Sequence, residues 1–440
     1  MKTLIITPEF PPDHGGGIST YYRDLVPALR EQGCEVSVLK GSAYVHGEPP
    51  YESHGVGVQV LETHRMERWV RRLSHLEMFP QMRRHLAAAF ALHEQAREGE
   101  GYDAVEVVDW GLQFLPWVLS SKVPFLVQLH GSDAQIAFHD PMIGREAEGT
   151  FSLLLERAGM AEASMISGYS TANSSWWSSL LAREVNYTPP PFQASVPALT
   201  QHRKGWMTFG RVQHWKGPQV ACEAWQRLGE KAPELHWYGR SIIHGESGES
   251  TSDWLGHRYP GIWGHQILHH QPVAPAEVSS IMATAKVVLI PSLWDTFNLV
   301  TAEAMAHECV VVVSDAAGAV DLVDHGSNGF VFPAGDAEAL ASLVQEIETL
   351  PGERLRSIGR HAAETVSRVM TPAMIAKQKI ELYRATTLPV GSNHWLKQTL
   401  LPSDERCSNA SLQFLHQLPL SAITRHVLGR MKNKVMSKKK

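Results

Sequence analysis

Cysteine is scarce in this chain: four in 440 residues, at positions 34, 222, 309 and 407, with no CxxC pair among them. That spacing argues against a structural zinc and for reduced thiols in a cytosol-like compartment. Long apolar runs are missing as well. No stretch approaches the length that spans a bilayer, and the opening MKTLIITPEFPPDHGG turns polar too early for a secretory leader, so a cytoplasmic location is expected. Charge is modest, at 19% charged residues and a net −5 with 23 His, which leaves no nucleic-acid footprint on the chain as a whole. Neither GxGxxG nor GxxxxGK[ST] occurs, and a dehydrogenase loses ground accordingly. There is no D-x-D, whose carboxylates would hold a divalent metal.

What is present is the composition of a soluble globular protein, 43% hydrophobic, in a chain too long for one ordinary core. Two domains and an appendage suit this length. The stretch from Lys286 to Val323 organises the second half. Val287 to Ile290 is a short continuous apolar run stopped by Pro291-Ser292, the pattern of a strand covered on both faces. A polar turn from Leu293 to Thr296 follows, then a helix predicted over Phe297 to His307, then a second buried strand from Cys309 to Val313. This is one βαβ unit of a parallel sheet, and ligands on such sheets sit at the carboxyl ends of the strands. Asp295 lies on that loop and Glu303 eight residues on. Two readings of the pair stand: carboxylates accepting hydrogen bonds from sugar hydroxyls beside backbone N–H groups of Phe297, Asn298 and Leu299 that take phosphate oxygens, or a helix cap and a solvated helical residue.

The first half opens in the same style. A strand from Thr3 to Ile6 leads through a proline-broken loop to Gly15-Gly16-Gly17 and a helix over about 19–32. Glycines there let the backbone approach a phosphate or sugar closely, or simply supply positive φ. Strands are predicted at 36–39, 103–108, 124–129 and 163–167, with a long helical region over 63–98. The strand at 124–129 delivers His130-Gly131-Ser132-Asp133 at its carboxyl end, where function usually sits in such sheets. Thr188-Pro189-Pro190-Pro191-Phe192 reads as a linker. After it come a strand at 206–209, the loop Gly210-Arg211-Val212-Gln213-His214-Trp215-Lys216-Gly217 and a helix over 218–228. Arg211 and Lys216 place two fixed cations at a strand-to-helix turn, which suits a diphosphate; ordinary surface charges are the alternative. A strand at 235–238, an irregular insertion over 241–261, a short strand at 267–271 able to hold a base, and helices at 275–284, 336–348, 351–369 and 371–385 complete the pattern.

Taken together, these segments resemble the glycosyltransferase family 4 group of GT-B enzymes. Pro8-Glu9-Phe10-Pro11-Pro12 with the glycine run looks like the family's N-terminal loop, and Phe209-Gly210-Arg211 with Lys216-Gly217 is similar to its phosphate-gripping segment. Pro291-Ser292 through Glu303-Ala304-Met305 looks like its E-x7-E region, continuing into Ser314-Asp315, Gly318 and Asn328-Gly329-Phe330. The likeness covers about residues 1–385. It implies an α/β fold of two facing Rossmann-like domains with parallel sheets and a cleft between them: 1–190 on the acceptor side, 191–370 on the nucleotide-sugar donor side, a helix at 371–385 packing back on the first domain, and a tail at 386–440.

The resemblance also implies roles. Arg211 and Lys216 bind the donor diphosphate, Asp295 contacts the donor sugar, Glu303 holds ribose hydroxyls, and Phe297, Asn298 and Leu299 supply backbone contacts. His130 matches the family's histidine near the reacting centre, and the Gly15–Gly17 loop approaches phosphate or acceptor. The implied reaction is sugar transfer from a nucleotide sugar with retention at the anomeric carbon, needing no metal and no cofactor. Several positions depart from the usual pattern: Asp295 stands for the first Glu, Asn298 for a common Gly, Glu308 and Val310 for the usual Gly and Pro, and Thr188 to Phe192 for the NG-containing linker of many members. A GT-B epimerase or phosphorylase and a non-catalytic nucleotide-sugar-binding protein are the competing readings. The end of the chain from Arg425 to Lys440 carries seven Lys or Arg and no acid, with Ile423, Val427, Met431 and Val435 at helical spacing. It reads either as a helix over 421–440 lying on an anionic membrane surface, where a lipid-linked acceptor is met, or as a solubilising tail.

Overall fold

The structure is a computed structural model, and it describes residues 1–13, 16–142, 147–193, 203, 205–245, 248–388, 394–401 and scattered positions between 420 and 431. The first sheet takes β1 (Lys2–Thr7), β2 (Glu35–Lys40), β3 (Tyr51–Ser53), β4 (Val56–Val60), β5 (Ala104–Val108), β6 (Phe125–Gln128), β7 (Met165–Gly168) and β8 (Asn186–Tyr187). Its spatial order is β3-β4-β2-β1-β5-β6-β7-β8, parallel throughout except for the β3–β4 hairpin at one edge. The helices around it are α1 (Gly17–Glu31), α2 (Thr63–Arg72), α3 (Pro80–Gln95), α4 (Leu115–Leu119), α5 (Asp133–His139), α6 (Ala147–Glu162) and α7 (Thr171–Leu181).

The second sheet consists of β9 (Trp206–Phe209), β10 (Leu235–Tyr238), β11 (Ile267–His270), β12 (Val287–Ile290), β13 (Val310–Ser314) and β14 (Phe330–Phe332), in the order β11-β10-β9-β12-β13-β14 and parallel in every described pairing. Around it lie α8 (Pro218–Leu228), α9 (Thr251–Arg258), α10 (Pro275–Met282), α11 (Leu299–Ala306), α12 (Ala337–Thr349) and α13 (Gly352–Val369). The chain then continues as α14 (Pro372–Ala385) and α15 (His394–Leu400). Two doubly covered parallel sheets explain the contiguous apolar runs: all four residues of β12 and all five of β13 are buried, because helices lie on both faces.

Four features differ from the sequence-based expectation. The helical region at 63–98 is interrupted between Leu73 and Phe79, and its second helix restarts with Pro80 at the first helical position. The β3–β4 hairpin was not anticipated; β4 alternates buried and exposed residues, a weaker signal than the continuous runs. The stretch at 241–261 contains α9, capped by Ser250, whose side chain accepts from the Asp253 N–H at 3.1 Å. The helix predicted from Phe297 starts at Leu299, since Asn298 sits in a left-handed conformation (φ 80°) that a helix interior does not accept.

The cores are layered to match. One cluster, with Leu86, Trp117 and Phe125, fills one face of the first sheet, and another, with Trp206, Trp225 and Trp237, fills one face of the second. A third runs from Tyr22 and Leu25 of α1 through Tyr169 and Phe297 to Met305 of α11 and Ile375 of α14. It is continuous across both sheets, and α14 packs directly on α1. Three cysteines, Cys34, Cys222 and Cys309, are buried free thiols; Cys407 lies outside the described residues. Among those residues no helix is long and apolar enough to cross a membrane.

Candidate active site in the cleft between the sheets

The loops that follow β1, β6, β9 and β12 converge on one cleft. After β9, the 210–217 loop ends in Gly217 with φ 74°, and a Cβ there would lie 1.8 Å from the Pro291 carbonyl oxygen. Only glycine permits this, so the loop carrying Lys216 is pressed against the start of the loop carrying Asp295. Lys216 Nζ forms an ion pair with the Asp295 carboxylate, and the same carboxylate accepts a hydrogen bond from Asn298 Nδ2 at 2.9 Å. Trp215 provides the floor: Lys216 Nζ stands 4.2 Å and the Arg211 guanidinium 6.0 Å from its ring centroid.

Arg211 is exposed into the cleft, and carboxylates approach it from both sides. Burial pulls its pKa down, while Asp295 from its own lobe, then Glu9 and Asp133 from the other, favour the charged form. A guanidinium remains protonated under these conditions. Arg211 and Lys216 thus stand as cations against Asp295, and Arg240 is a further cation that disfavours the charge on Arg211. Asp295 is held in place by backbone bonds: its N–H donates to Ala316 O at 3.1 Å, and its C=O accepts from Gly318 at 3.1 Å. Phe297 is buried and its carbonyl accepts from Ala319 N–H at 2.6 Å, so Phe297 anchors the loop. Asn298 and Leu299 form the cap and first turn of α11, whose N-terminus opens beside Asp295. Glu303, one turn further on, is half-buried and faces α1: burial raises its pKa, with Arg23 opposing and Asp24 adding to the rise.

On the other wall, His130 follows β6 and is fixed at backbone and ring. Its N–H and that of Gly131 donate to the two carboxylate oxygens of Asp109, at 2.9 and 3.0 Å. Its ring lies among Tyr21, Tyr22 and Tyr169, with centroids 5.3, 5.6 and 5.0 Å away, and the Tyr169 hydroxyl bonds to the ring at Nδ1. Burial first, and Lys379 second, hold the imidazole well below its ordinary pKa, so it is neutral at physiological pH. Asp109 directly follows β5, and it reaches the His130 and Gly131 backbone because β5 and β6 are neighbours. Burial pushes its carboxyl up to about 7 against the pull of the two N–H donors. Asp133, at the first position of α5, is pushed up to about 6 by its surroundings, with Arg211 opposing.

Gly16 caps α1 at φ −111°, so positive φ is not its purpose there; a Cβ would instead lie 1.8 Å from Glu9 Oε2. Gly17 is the first residue of α1 and has open space around its Cβ position, whereas Gly15 lies outside the described residues. The cleft walls touch at several points. Thr296 Oγ1 donates to the His130 carbonyl at 3.4 Å, and a Cβ on Gly131 would come within 2.8 Å of Thr296. Trp294 stacks on His139 of α5 at 4.4 Å and 5°, and also lies 5.8 Å from Trp215. Asp321 accepts from Thr171 N–H at 2.7 Å and Thr171 Oγ1 at 2.6 Å. The structure therefore brings His130, Arg211, Lys216, Asp295, Asn298 and Leu299 to one cleft, with Glu303 and Gly16 on its rim. Sequence reasoning missed Asp109, His139 and Trp294. Among the described residues, no group of three or more His, Cys, Asp or Glu is arranged to hold a metal ion.

Two family models match this chain: "Glycosyl transferase 4-like domain" over residues 16–183 and "Glycosyl transferases group 1" over 203–349. A D-inositol 3-phosphate glycosyltransferase of Paenarthrobacter aurescens is 26% identical over 365 residues, covering 76% of this chain and 86% of that one. An uncharacterized glycosyltransferase of Methanocaldococcus jannaschii is 23% identical, over 87% of this chain and 98% of its own. Among solved structures, sucrose-phosphate synthase of Thermosynechococcus elongatus superposes with a TM-score of 0.68 at 19% identity, over 87% of this chain and 98% of that one. Anabaena HepE in complex with UDP-glucose gives 0.62 at 17%, over 88% and 100%. These likenesses agree with the paired sheets and with the order of the site loops: the chain is a glycosyltransferase with the GT-B fold, belonging to the glycosyltransferase family 4 group.

Proposed function

We propose that this glycosyltransferase moves a sugar from a nucleoside-diphosphate sugar to a hydroxyl of its acceptor, with retention at the anomeric carbon. The observation that carries the reading is the meeting of Lys216 and Asp295, with Arg211 beside them, at the start of α11. The Asp295 carboxylate balances the Lys216 ammonium. A diphosphate entering beside them gives Lys216 and Arg211 anionic oxygens, and Asp295 then turns to the sugar hydroxyls. Glu303 takes the ribose hydroxyls, and Asn298 and Leu299 offer backbone N–H groups.

In the transfer, the bond from the anomeric carbon to the phosphate oxygen breaks while a bond to the acceptor oxygen forms on the same face. The acceptor's proton passes to the departing phosphate oxygen. Lys216 and Arg211 neutralise the charge that develops on that phosphate, which is the dominant form of stabilisation available to fixed cations in a water-poor cleft. His130, neutral and held by Tyr169, donates or accepts a hydrogen bond at the sugar without carrying charge itself. No metal-dependent step is required by this scheme.

Support for the donor class comes from the HepE complexes with UDP and UDP-glucose, and for the acceptor class from the relatives named for D-inositol 3-phosphate. On the acceptor side, Arg84 stands 5.4 Å over the exposed Tyr44 ring, a cation and an aromatic face that suit a polyol or its phosphate. A cytoplasmic protein held at the inner membrane face by its basic end belongs to the same reading. Of that end only scattered positions are described, among them exposed Val427, Leu428 and Met431; Ile423 and Val435 lie outside the described residues. Anionic vesicles should retain the full chain and release a chain lacking residues 421–440; equal retention of both excludes the tail as anchor.

The test of the reading is nucleoside diphosphate release from a panel of nucleotide sugars, with and without hydroxyl acceptors. Release that depends on acceptor supports transfer. Conversion of the nucleotide sugar without acceptor points to an epimerase or phosphorylase, and binding without any conversion to a non-catalytic role.

A further inference from the structure

Beneath His130 lies a polar network that the reaction as described does not use. Lys379 of α14 and Glu106 of β5 are both fully buried and form an ion pair at 2.6 Å. Lys379 Nζ also donates to Gln128 Oε1 at 2.8 Å, and Tyr383 OH donates to Glu106 Oε2 at 2.7 Å. Gln128 Oε1 accepts a further bond from Tyr21 OH at 3.3 Å, while Gln128 Nε2 donates to Ser167 O at 3.0 Å. Tyr21 is the ring that meets His130 edge-on at 5.3 Å and lies 5.1 Å from Tyr169, the partner of the imidazole. The chain of contacts thus runs from a helix after the second sheet, through the first sheet, to the ring at the cleft.

Such a pair is hard to explain by stability. Removing two charges from water costs more than a well-packed apolar pair, and breaking one partner leaves the other stranded. We infer that Lys379 is a positioning residue: its ammonium, fixed by Glu106 and Gln128, sets the Tyr21 side of the aromatic box and keeps a positive charge close to the His130 ring. This rests on the reading of His130 as a residue at the reacting centre. Through Lys379, the docking of α14 on the first domain and the state of the catalytic cleft become one property.

The charge has a direction. A cation near an imidazole disfavours its protonated form, so taking Lys379 away lets His130 protonate at higher pH. The other groups about that ring are Tyr21 and Tyr22 on α1 and Tyr169 after β7; Glu106 of β5 and Tyr383 of α14 stand behind them in the network, and Asp109, Asp133 and Glu156 lie about its loop. Lys379→Met leaves all of them in place and takes away only the cation, whereas the variant that also carries Glu106→Gln loses the cation and its paired carboxylate together.

The experiment compares full-length wild type, Lys379→Met and the double variant Lys379→Met/Glu106→Gln. The double variant keeps an acceptor for Tyr383 without a stranded carboxylate, and serves where the single one does not fold. Two readouts are taken: the acid limb of kcat for donor turnover, and the titration of the His130 ring by NMR, assigned through its loss in His130→Gln. We expect folded variants with a lower kcat and little change in donor KM; in Lys379→Met the acid limb and the ring titration both move up by about one pH unit, and in the double variant, which loses the paired carboxylate as well, both move up by less. Folded variants with the wild-type limb and an unmoved ring titration overturn the inference. A wild type that turns over no nucleotide sugar overturns the sugar-transfer reading instead, and the NMR titration still decides the role of Lys379.

Discussion

Lys216 is held by a carboxylate and an aromatic face at once, and both holders come from the loops that frame it. The Asp295 pair fixes where the ammonium points, and Trp215 keeps it from retreating into solvent. Replacing Lys216 with Ala should lower kcat by about 10²- to 10³-fold, the range found when one preorganised donor to a developing anion is removed. The melting temperature should hardly change, because Lys216 is only partly buried and its partner Asp295 keeps the Asn298 bond. A calorimetric scan beside the turnover assay checks both halves; unchanged turnover removes Lys216 from the diphosphate site. At this scale much of the site was legible in the sequence. Arg211, Lys216 and Asp295 lie on turns that adjoin strongly apolar strands, and Glu303 on the helix that follows one of those turns, so their position could be placed from pattern. Asp109, His139, Trp294 and Lys379 could not, since each acts on a partner from another element, and Lys379 of α14 meets Glu106 far back in the first sheet.

Elements set how rigidly these residues are presented. Gly217 ends the Lys216 loop in a left-handed turn hard against the Pro291 carbonyl, and Gly217→Ala should cost both stability and turnover, unlike Lys216→Ala. Backbone strain at such a position costs about 1 kcal/mol or more, and the clash adds to it. Thermal melting is the check, and a variant as stable as wild type contradicts the close approach. Helix α6 makes a separate prediction through Glu156, a buried carboxyl pushed up to about 8 by burial, with Ser132 opposing and Asp109 and Asp133 adding to the rise. Its folded pKa lies above the ordinary carboxylate value, so its contribution to stability is present at low pH and is lost as pH rises through about 8. Glu156→Gln should therefore flatten the fall in melting temperature between about pH 4.5 and about pH 8 relative to wild type; parallel curves over that window contradict this. Strands with unbroken apolar runs were the easiest elements to read. The alternating β4, the short α9 and the delayed start of α11 were not, as each depends on edge exposure, a cap or one left-handed residue.

At the scale of the whole molecule, the two sheets are joined by a shared core and by contacts across the cleft. The His139–Trp294 stack, the Thr296–His130 bond and the Asp321–Thr171 pair all close the cleft around the loop that carries Asp295. Trp294→Ala should raise donor KM more than it lowers kcat, since it loosens the closed arrangement without touching the cations; a fall in kcat alone contradicts that assignment. The paired-sheet architecture was legible because the strand–loop–helix rhythm restarts after the Pro189–Pro191 break. How the lobes meet was not, because the aromatic and polar side chains that make those contacts carry no periodic signal. The central claim is that Arg211 and Lys216 grip a diphosphate between the lobes. Calorimetric titration of UDP, GDP and ADP into wild type and into Arg211→Ala/Lys216→Ala tests it most directly. The account predicts that wild type binds at least one of the three and that the double variant binds it about 100-fold more weakly or not at all. Equal affinity in the two proteins, or no binding by wild type, contradicts it.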